Sequence, residues 1–440
     1  MMAVPLALLL PLVNGYALTS LLWRGSRPAR SQVFIRLCLA IGVGLGLFSC
    51  LFFVWLLLFG PSKAGLFEAQ AGLLAVLVVI LIYRRRGRDP GRSAEPPATP
   101  VIRSPLERVL AAALVLMLGT GAVNLVVLAL TKPHGDWDAW AIWNVRARFI
   151  FRAGPLWRDA FSYVMDRSRP DYPVLMPSTV AGLWTLIGDD TVLIPALLAI
   201  LFGLATVGLT VSSLAVLRGG SEACLAGLIL VGTPLFITHT VSQYADVPLA
   251  FFMLATLVLV ALYDAGGHAG GIMVLAGVVA GLAGWTKNEG LLFVVAVMAA
   301  RAVVIIPTDG LRTWAREIAR FAAGLTPVAV IIVHFKSTLA PPNYLVALQE
   351  PRDVYVKLFD LSRHRLVWAA IAEDIWTFGG WVVSVPLILA FYMLLVGLHA
   401  NRRTALSIMT SALTLSLMLL GDSVVYVITP LDITYQMERS

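Results

Sequence analysis

The sequence predicts an all-α fold, a polytopic transmembrane helix bundle of about twelve spans. Of its 440 residues, 59% are hydrophobic and 13% charged, against about 25% charged in soluble domains. Mean hydropathy is +0.85. Apolar runs near the roughly 20 residues that cross a bilayer recur along the whole chain. Too much apolar surface is present for one aqueous core, so the solvent is lipid. A soluble enzyme, a disordered chain and a disulfide-stapled module are excluded. The net charge of +8 comes from 33 basic and 25 acidic residues. On a membrane protein it reflects loops and headgroups rather than nucleic acid. Cys38, Cys50 and Cys224 all lie in apolar runs. The first two fall on one helix about 18 Å apart, too far to bridge.

The runs are 3–23, 34–59, 64–83, 108–130, 190–216, 221–239, 246–264, 270–285, 290–306, 318–335, 380–398 and 404–428. The first lacks a basic n-region and a longer apolar run follows closely, so it reads as a span and not a cleavable signal. Arg84, Arg85, Arg86, Arg88 and Arg92 crowd the loop before the fourth run. Arg218 follows the fifth, Arg301, Arg312, Arg316 and Arg320 surround the turn after the ninth, and Arg402 and Arg403 precede the last. If the spans alternate, these loops share one side, which the positive-inside rule assigns to the cytoplasm. The organisation is then three N-terminal transmembrane helices (1–83), a flexible Pro/Arg-rich cytoplasmic linker (84–107) and a transmembrane core (108–440) with an outer loop at 131–189.

That outer loop opens TKPHGDWDAWAIWNVRARFIF. Asp136 and Asp138 emerge where the chain leaves the bilayer, among Trp137, Trp140 and Trp143. Trp140, Trp143, Ala147, Ile150 and Phe151 recur at helical spacing with Arg146, Arg148 and Arg152 between them. This pattern predicts an interfacial amphipathic helix whose arginines meet headgroup phosphates. RSRPDYPVLMP follows, its prolines delaying any helix, and Ser178 to Ile187 is too short to span. The plainer reading of Asp136 and Asp138 is a helix cap in a hydrated loop. At the edge of lipid, two carboxylates within one turn also suit a general base or a divalent cation, and partial desolvation is expected to raise a carboxylate pKa.

Other outward ends repeat the pattern. HTVSQYADVPLAFF carries His239, Gln243, Tyr244 and Asp246; GWTKNEGLLF carries Lys287, Asn288 and Glu289; the tenth run ends in His334 and Lys336; the last ends near Asp422, Tyr426 and Asp432. Lys287 and Glu289 also suit plain helix caps, and His239 and His334 suit hydrogen-bonded interface histidines. Ionisable groups at membrane depth nevertheless point to function. No P-loop, zinc-ligand spacing or hydrolase elbow accompanies them.

GDWDAWAIWNVRARFIF, RPDYPVLMP, QYADVPLAFF and GWTKNEGLLF together resemble the GT-C superfamily over about residues 108–440. These are polytopic glycosyltransferases that use polyprenyl-phosphate sugars, among them the protein mannosyltransferases and the lipid A aminoarabinose transferases; the stretches resemble an uncharacterised bacterial branch. Members often carry an Asp-Glu pair in this loop; here the spacing is Asp-x-Asp.

The resemblance implies an inverting transfer of a hexosyl or pentosyl group from a polyprenyl-phosphate donor to an envelope glycan, lipid or protein, in a bacterial inner membrane with the site facing the periplasm or exterior. It makes Asp138 the base and Asp136 its orienting partner. Lys287 and Arg169 are the candidates for stabilising the leaving phosphate, with Arg146 and Arg148 behind them. Asp171, Tyr172, Asp246, Glu289, Gln243, Tyr244 and Asn288 are further substrate-binding candidates. A divalent ion, held by Asp136, Asp138 or Asp246, is the one candidate cofactor. The competing readings are a transporter or flippase, a structural envelope subunit, and a glycan ligase or polymerase with a diphosphate donor.

Overall fold

The structure, a computed structural model, describes residues 3–23, 30–86, 104–266, 269–381, 383–396 and 401–431. Residues 87–103 of the expected linker and Asp432 lie outside them. Among the described residues all regular structure is helical, and the chain is an integral membrane protein by the length and apolarity of its helices. The chain runs through α1 (Ala3–Leu22), α2 (Arg30–Phe59), α3 (Lys63–Arg86) and α4 (Pro105–Thr131). Then come α5 (Asn144–Arg152), α6 (Leu175–Ile187), α7 (Leu193–Leu217), α8 (Gly220–Gly232) and α9 (Pro234–Val241). The succession α10 (Asp246–Ala265), α11 (Gly270–Thr286), α12 (Asn288–Asp309) and α13 (Leu311–Thr338) follows. Short α14 (Tyr344–Ala347) and α15 (Pro351–Leu358) lead to α16 (Leu361–Thr377), α17 (Val385–Val396) and α18 (Arg402–Ile428).

Nine described helices are long and apolar enough to cross a membrane, or ten if α8 and α9 form one bent span, rather than about twelve. The difference has physical causes. The run at 221–239 breaks by 64° between α8 and α9, because Pro234 has no N–H to give the preceding turn. The break is satisfied from outside: Leu235 N–H donates to Gly379 O at 3.1 Å and Trp381 Nε1 donates to Thr233 Oγ1 at 2.8 Å. The run at 270–285 forms a helix of 17 residues, at the lower limit for a span, and the described part of the run at 380–398 one of 12.

The three N-terminal helices are woven into the rest. Phe48, Phe52 and Phe53 of α2 are buried in the central core, and Phe53 meets the rings of Trp285 and Phe335 edge-on. Ser49 Oγ donates to Leu175 O and accepts from Trp285 Nε1, both at 3.0 Å. Elsewhere α11 and α13 touch backbone to backbone. A Cβ at Gly277 would strike the Phe321 carbonyl, and one at Gly324 the Val274 carbonyl. Small residues allow such close approach where no hydrophobic effect drives helices together.

Arg301, expected with the loop cations, lies inside α12 and is buried. Its guanidinium donates to Asp264 of α10 at 2.5 and 2.9 Å and to Glu317 of α13 at 2.9 Å. A charge there is tolerable only with such partners.

Gly277→Leu or Gly324→Leu is expected to cost about 1–3 kcal/mol or more by overpacking and to lower the unfolding temperature in detergent. Gly72→Leu, whose Cβ would meet nothing within 4 Å, is expected to leave it unchanged.

Candidate active site

The loop after α4 is pinned to the α9–α10 turn. Lys132 Nζ donates to Asp136 Oδ1 at 2.8 Å and Ser242 Oγ to Asp136 Oδ2 at 2.7 Å. Gln243 Nε2 donates to Pro133 O at 3.1 Å, and Asn144 Nδ2 to Gln243 Oε1 at 2.8 Å. The fit needs Gly135 at φ +71°, where a Cβ would meet Ser242 O and Ala139. It also holds Gln243 at φ +60°, a conformation non-glycine residues rarely adopt outside functional sites. Burial pushes the Asp136 pKa up, but the bonds from Lys132 and Ser242 outweigh it and the carboxyl sits below its ordinary value. The expected raised pKa is therefore not found at Asp136.

Tyr244 gathers the carboxylates. Its hydroxyl bonds to the Asp138 backbone and feels the charges of Asp138, Asp136 and Asp246; burial first, then these charges, raise its pKa. His239 packs edge-on against the same ring at 5.6 Å.

Lys287 forms the joint between α11 and α12, in extended backbone. Its Nζ lies 3.0 Å from Asp246 Oδ1, at the start of α10, and 3.4 Å from Glu289 Oε1. Burial disfavours the ammonium, yet Asp246 and Glu289 more than compensate and hold its pKa above the ordinary lysine value. Asp422 of α18 faces Lys287 and Glu289.

Asp171 is the third knot. It is buried, and its Oδ2 accepts from Asn288 at 3.1 Å and Asn343 at 2.9 Å. Arg169 Nε lies 3.4 Å from Oδ1. Lys336 Nζ donates to Asp171 O at 2.5 Å and Asn288 Oδ1 at 2.7 Å. Beside it, Tyr172 stacks on Trp143 at 5.9 Å, with the Arg169 guanidinium 4.6 Å and the Lys287 ammonium 6.0 Å from its ring.

Three arginines depart from the expected interfacial helix. Residues 139–143 make a π-helical turn and α5 follows, but Arg146 is fully buried. It donates to Tyr172 O at 2.8 Å and Ile142 O at 3.3 Å, and burial pushes its guanidinium down to about 9. Arg148 and Arg152 face Asp190 at 3.4 and 2.5 Å, tying α5 to the loop before α7. One side of α5 is thus packed against protein, while Phe149 and Arg152 stay exposed.

The structure gathers Asp136, Asp138, Gln243, Tyr244 and Asp246 around one turn, and Lys287, Asn288, Glu289, Arg169, Asp171 and Tyr172 beside it. Only Arg148 turns to another partner. Sequence reasoning gave no role to Ser242, Asn343 or Lys336; Lys336 showed only as the polar end of a span. Among the described residues, no group of three or more His, Cys, Asp or Glu side chains could hold a metal ion, and Asp136 and Asp246 are already engaged by lysines. This donor set does not fit a resident divalent cation.

Residues 171–335 match the family model described as dolichyl-phosphate-mannose-protein mannosyltransferase. The match is consistent with a GT-C superfamily membrane glycosyltransferase, the superfamily the motifs resemble. It begins at Asp171 and takes in Tyr172, Gln243, Tyr244, Asp246, Lys287, Asn288 and Glu289, but neither Asp136 nor Asp138. No curated protein and no solved structure matches the chain.

A carboxyl with a depressed native pKa stabilises the fold above its unfolded pKa, and this contribution is lost as pH falls through the native value. The double variant Lys132→Met/Ser242→Ala removes what depresses Asp136. It is expected to unfold at lower temperature than the wild type near neutral pH, with the gap closing below the ordinary aspartate value of 3.8. Thermal unfolding across the acid range measures this.

Proposed function

We propose that this chain transfers a sugar from a polyprenyl-phosphate donor to a hydroxyl or amine of an envelope glycan, lipid or protein, at the extracytoplasmic face of a bacterial inner membrane. One observation carries the reading. Carboxylates, lysines and arginines from segments spread over nearly 300 residues meet at one end of the bundle, in a chain whose residues 171–335 match a mannosyltransferase family. A transporter would spread its ionisable groups along a path reaching both sides.

In this reading Asp138 is the base. It takes the acceptor proton as the acceptor oxygen or nitrogen attacks the anomeric carbon. The bond from that carbon to the phosphate oxygen breaks, and the lipid phosphate leaves with the electron pair. Direct displacement inverts the anomeric centre. Asp136, held by Lys132 and Ser242, keeps the loop and its neighbour in place. Positive charge stabilises the phosphate more as it leaves than before; Lys287 and Arg169 supply it. Each faces a carboxylate in the free protein, so the donor phosphate replaces a carboxylate partner on binding. A narrow apolar crevice between α4, α7, α8 and α9 is the candidate path for part of the polyprenyl tail. Its α9 wall leads directly to Ser242, which holds Asp136.

Asp138→Asn is expected to abolish glycan transfer while the protein still inserts and folds, as read by mass spectrometry of envelope glycans with the variant as sole copy. Near-normal transfer would remove the base assignment. For sidedness, a cysteine at exposed His134 is expected to react with an impermeant thiol reagent added outside intact cells. Labelling only after lysis would reverse the orientation. Gly135 is unsuitable for that reporter because its φ is positive and a Cβ there has no room.

A further inference from the structure

The segment between α13 and α17 has an apolar face that none of the described helices covers. Along α16, Val367 is the one buried residue among those described. At 3.6 residues per turn, Leu361, Trp368, Ala372, Ile375 and Trp376 lie about 80–180° round from it, an arc that also holds Arg365, whose long apolar stem lets its charge reach the headgroups. Leu361 is 74% exposed and Trp376 57%. A soluble protein would not leave such a stripe to water.

The depth of this stripe is fixed by bonds to the end of α18. Arg363 Nε donates to Val427 O at 2.6 Å and Nη2 to Thr429 O at 3.1 Å. Lys357 Nζ donates to Thr429 O at 3.1 Å, and Gln349 Nε2 to Ile428 O at 3.0 Å. These are the carbonyls that a helix end leaves unpaired, and cations suit them. Helix α18 has 27 residues, about 40 Å at 1.5 Å per residue, against a hydrocarbon core of about 30 Å. Its last turn therefore reaches the headgroup level. Exposed apolar residues of α18, Leu420 and Val424 among them, continue up to the same place.

We infer that α16 lies along the outer lipid–water boundary, with Trp368, Ile375 and Trp376 in the bilayer, so that the occupant of its open face is the membrane surface itself. Tryptophan is favoured at that depth because its ring is apolar and its N–H finds water or headgroups. The same segment carries Asn343 to Asp171, so a lipid-anchored arm buttresses the candidate site. The placement at a lipid–water boundary does not depend on the proposed chemistry; that this boundary is the outer one rests on the proposed sidedness.

The test uses the full chain with its three cysteines replaced and one cysteine added, Trp376→Cys or Asp374→Cys, positions two residues apart on opposite sides of α16. Each is labelled with bimane in vesicles of phosphatidylethanolamine and phosphatidylglycerol. Strong quenching by lipids bearing a nitroxide near the headgroup is expected at position 376, with iodide quenching dominant at 374. Leu361→Cys serves as a second reporter on the apolar side and is expected to follow 376. If iodide reaches 361 and 376 as readily as 374, or if neither quencher reaches them because another protein surface covers the stripe, the placement is overturned.

Discussion

A lysine at the edge of a bilayer keeps its charge only where carboxylates replace the water it has lost. Lys287 meets that condition, only 13% exposed at the joint of α11 and α12 with Asp246 and Glu289 against its ammonium. Desolvating an ion costs several kcal/mol even after relaxation, so the joint constrains everything around it. The start of α10 must lie beside the start of α12. Because Asp246 follows the turn that carries Ser242, Gln243 and Tyr244, the loop bearing Asp136 and Asp138 is drawn to the same place.

The same logic runs through the neighbouring knot. Asp171 is buried on a proline-bounded loop and is satisfied by two amides from distant segments and by Arg169 of its own loop. Two non-glycine residues with positive φ, Arg169 and Gln243, stand at these two loops. Their backbone is held by the bonds of their neighbours, Ser242 to Asp136 and Asp171 to Asn288 and Asn343.

Much of this was legible in the sequence, and the rest was hidden for identifiable reasons. Long apolar runs declare themselves, which is why α2, α7 and α10 were readable. The break at Pro234 was not, since the groups that satisfy it, Gly379 and Trp381, lie some 145 residues away. Polar residues at the outward ends of spans marked Asp136, Asp138, Asp246 and Lys287 because lipid makes such residues conspicuous. Nothing in the pattern joins Asp171 to Asn343 or Lys336. Arg146 misled because helical spacing says which side of α5 is polar, not whether protein or headgroups face it. Arg301 misled in the same way: an arginine near a span end reads as a loop cation until its two carboxylates are seen.

Those two carboxylates give Arg301 a mechanical meaning. Asp264, Arg301 and Glu317 belong to α10, α12 and α13, the helices whose far ends carry Asp246, Glu289 and Lys336. A charged rivet thus clamps the three rods at depth while their tips form the chemical mouth. Separating any one of these rods would leave a buried charge without its partner, so the rivet fixes their spacing and, through it, the spacing of Asp246, Glu289 and Lys336.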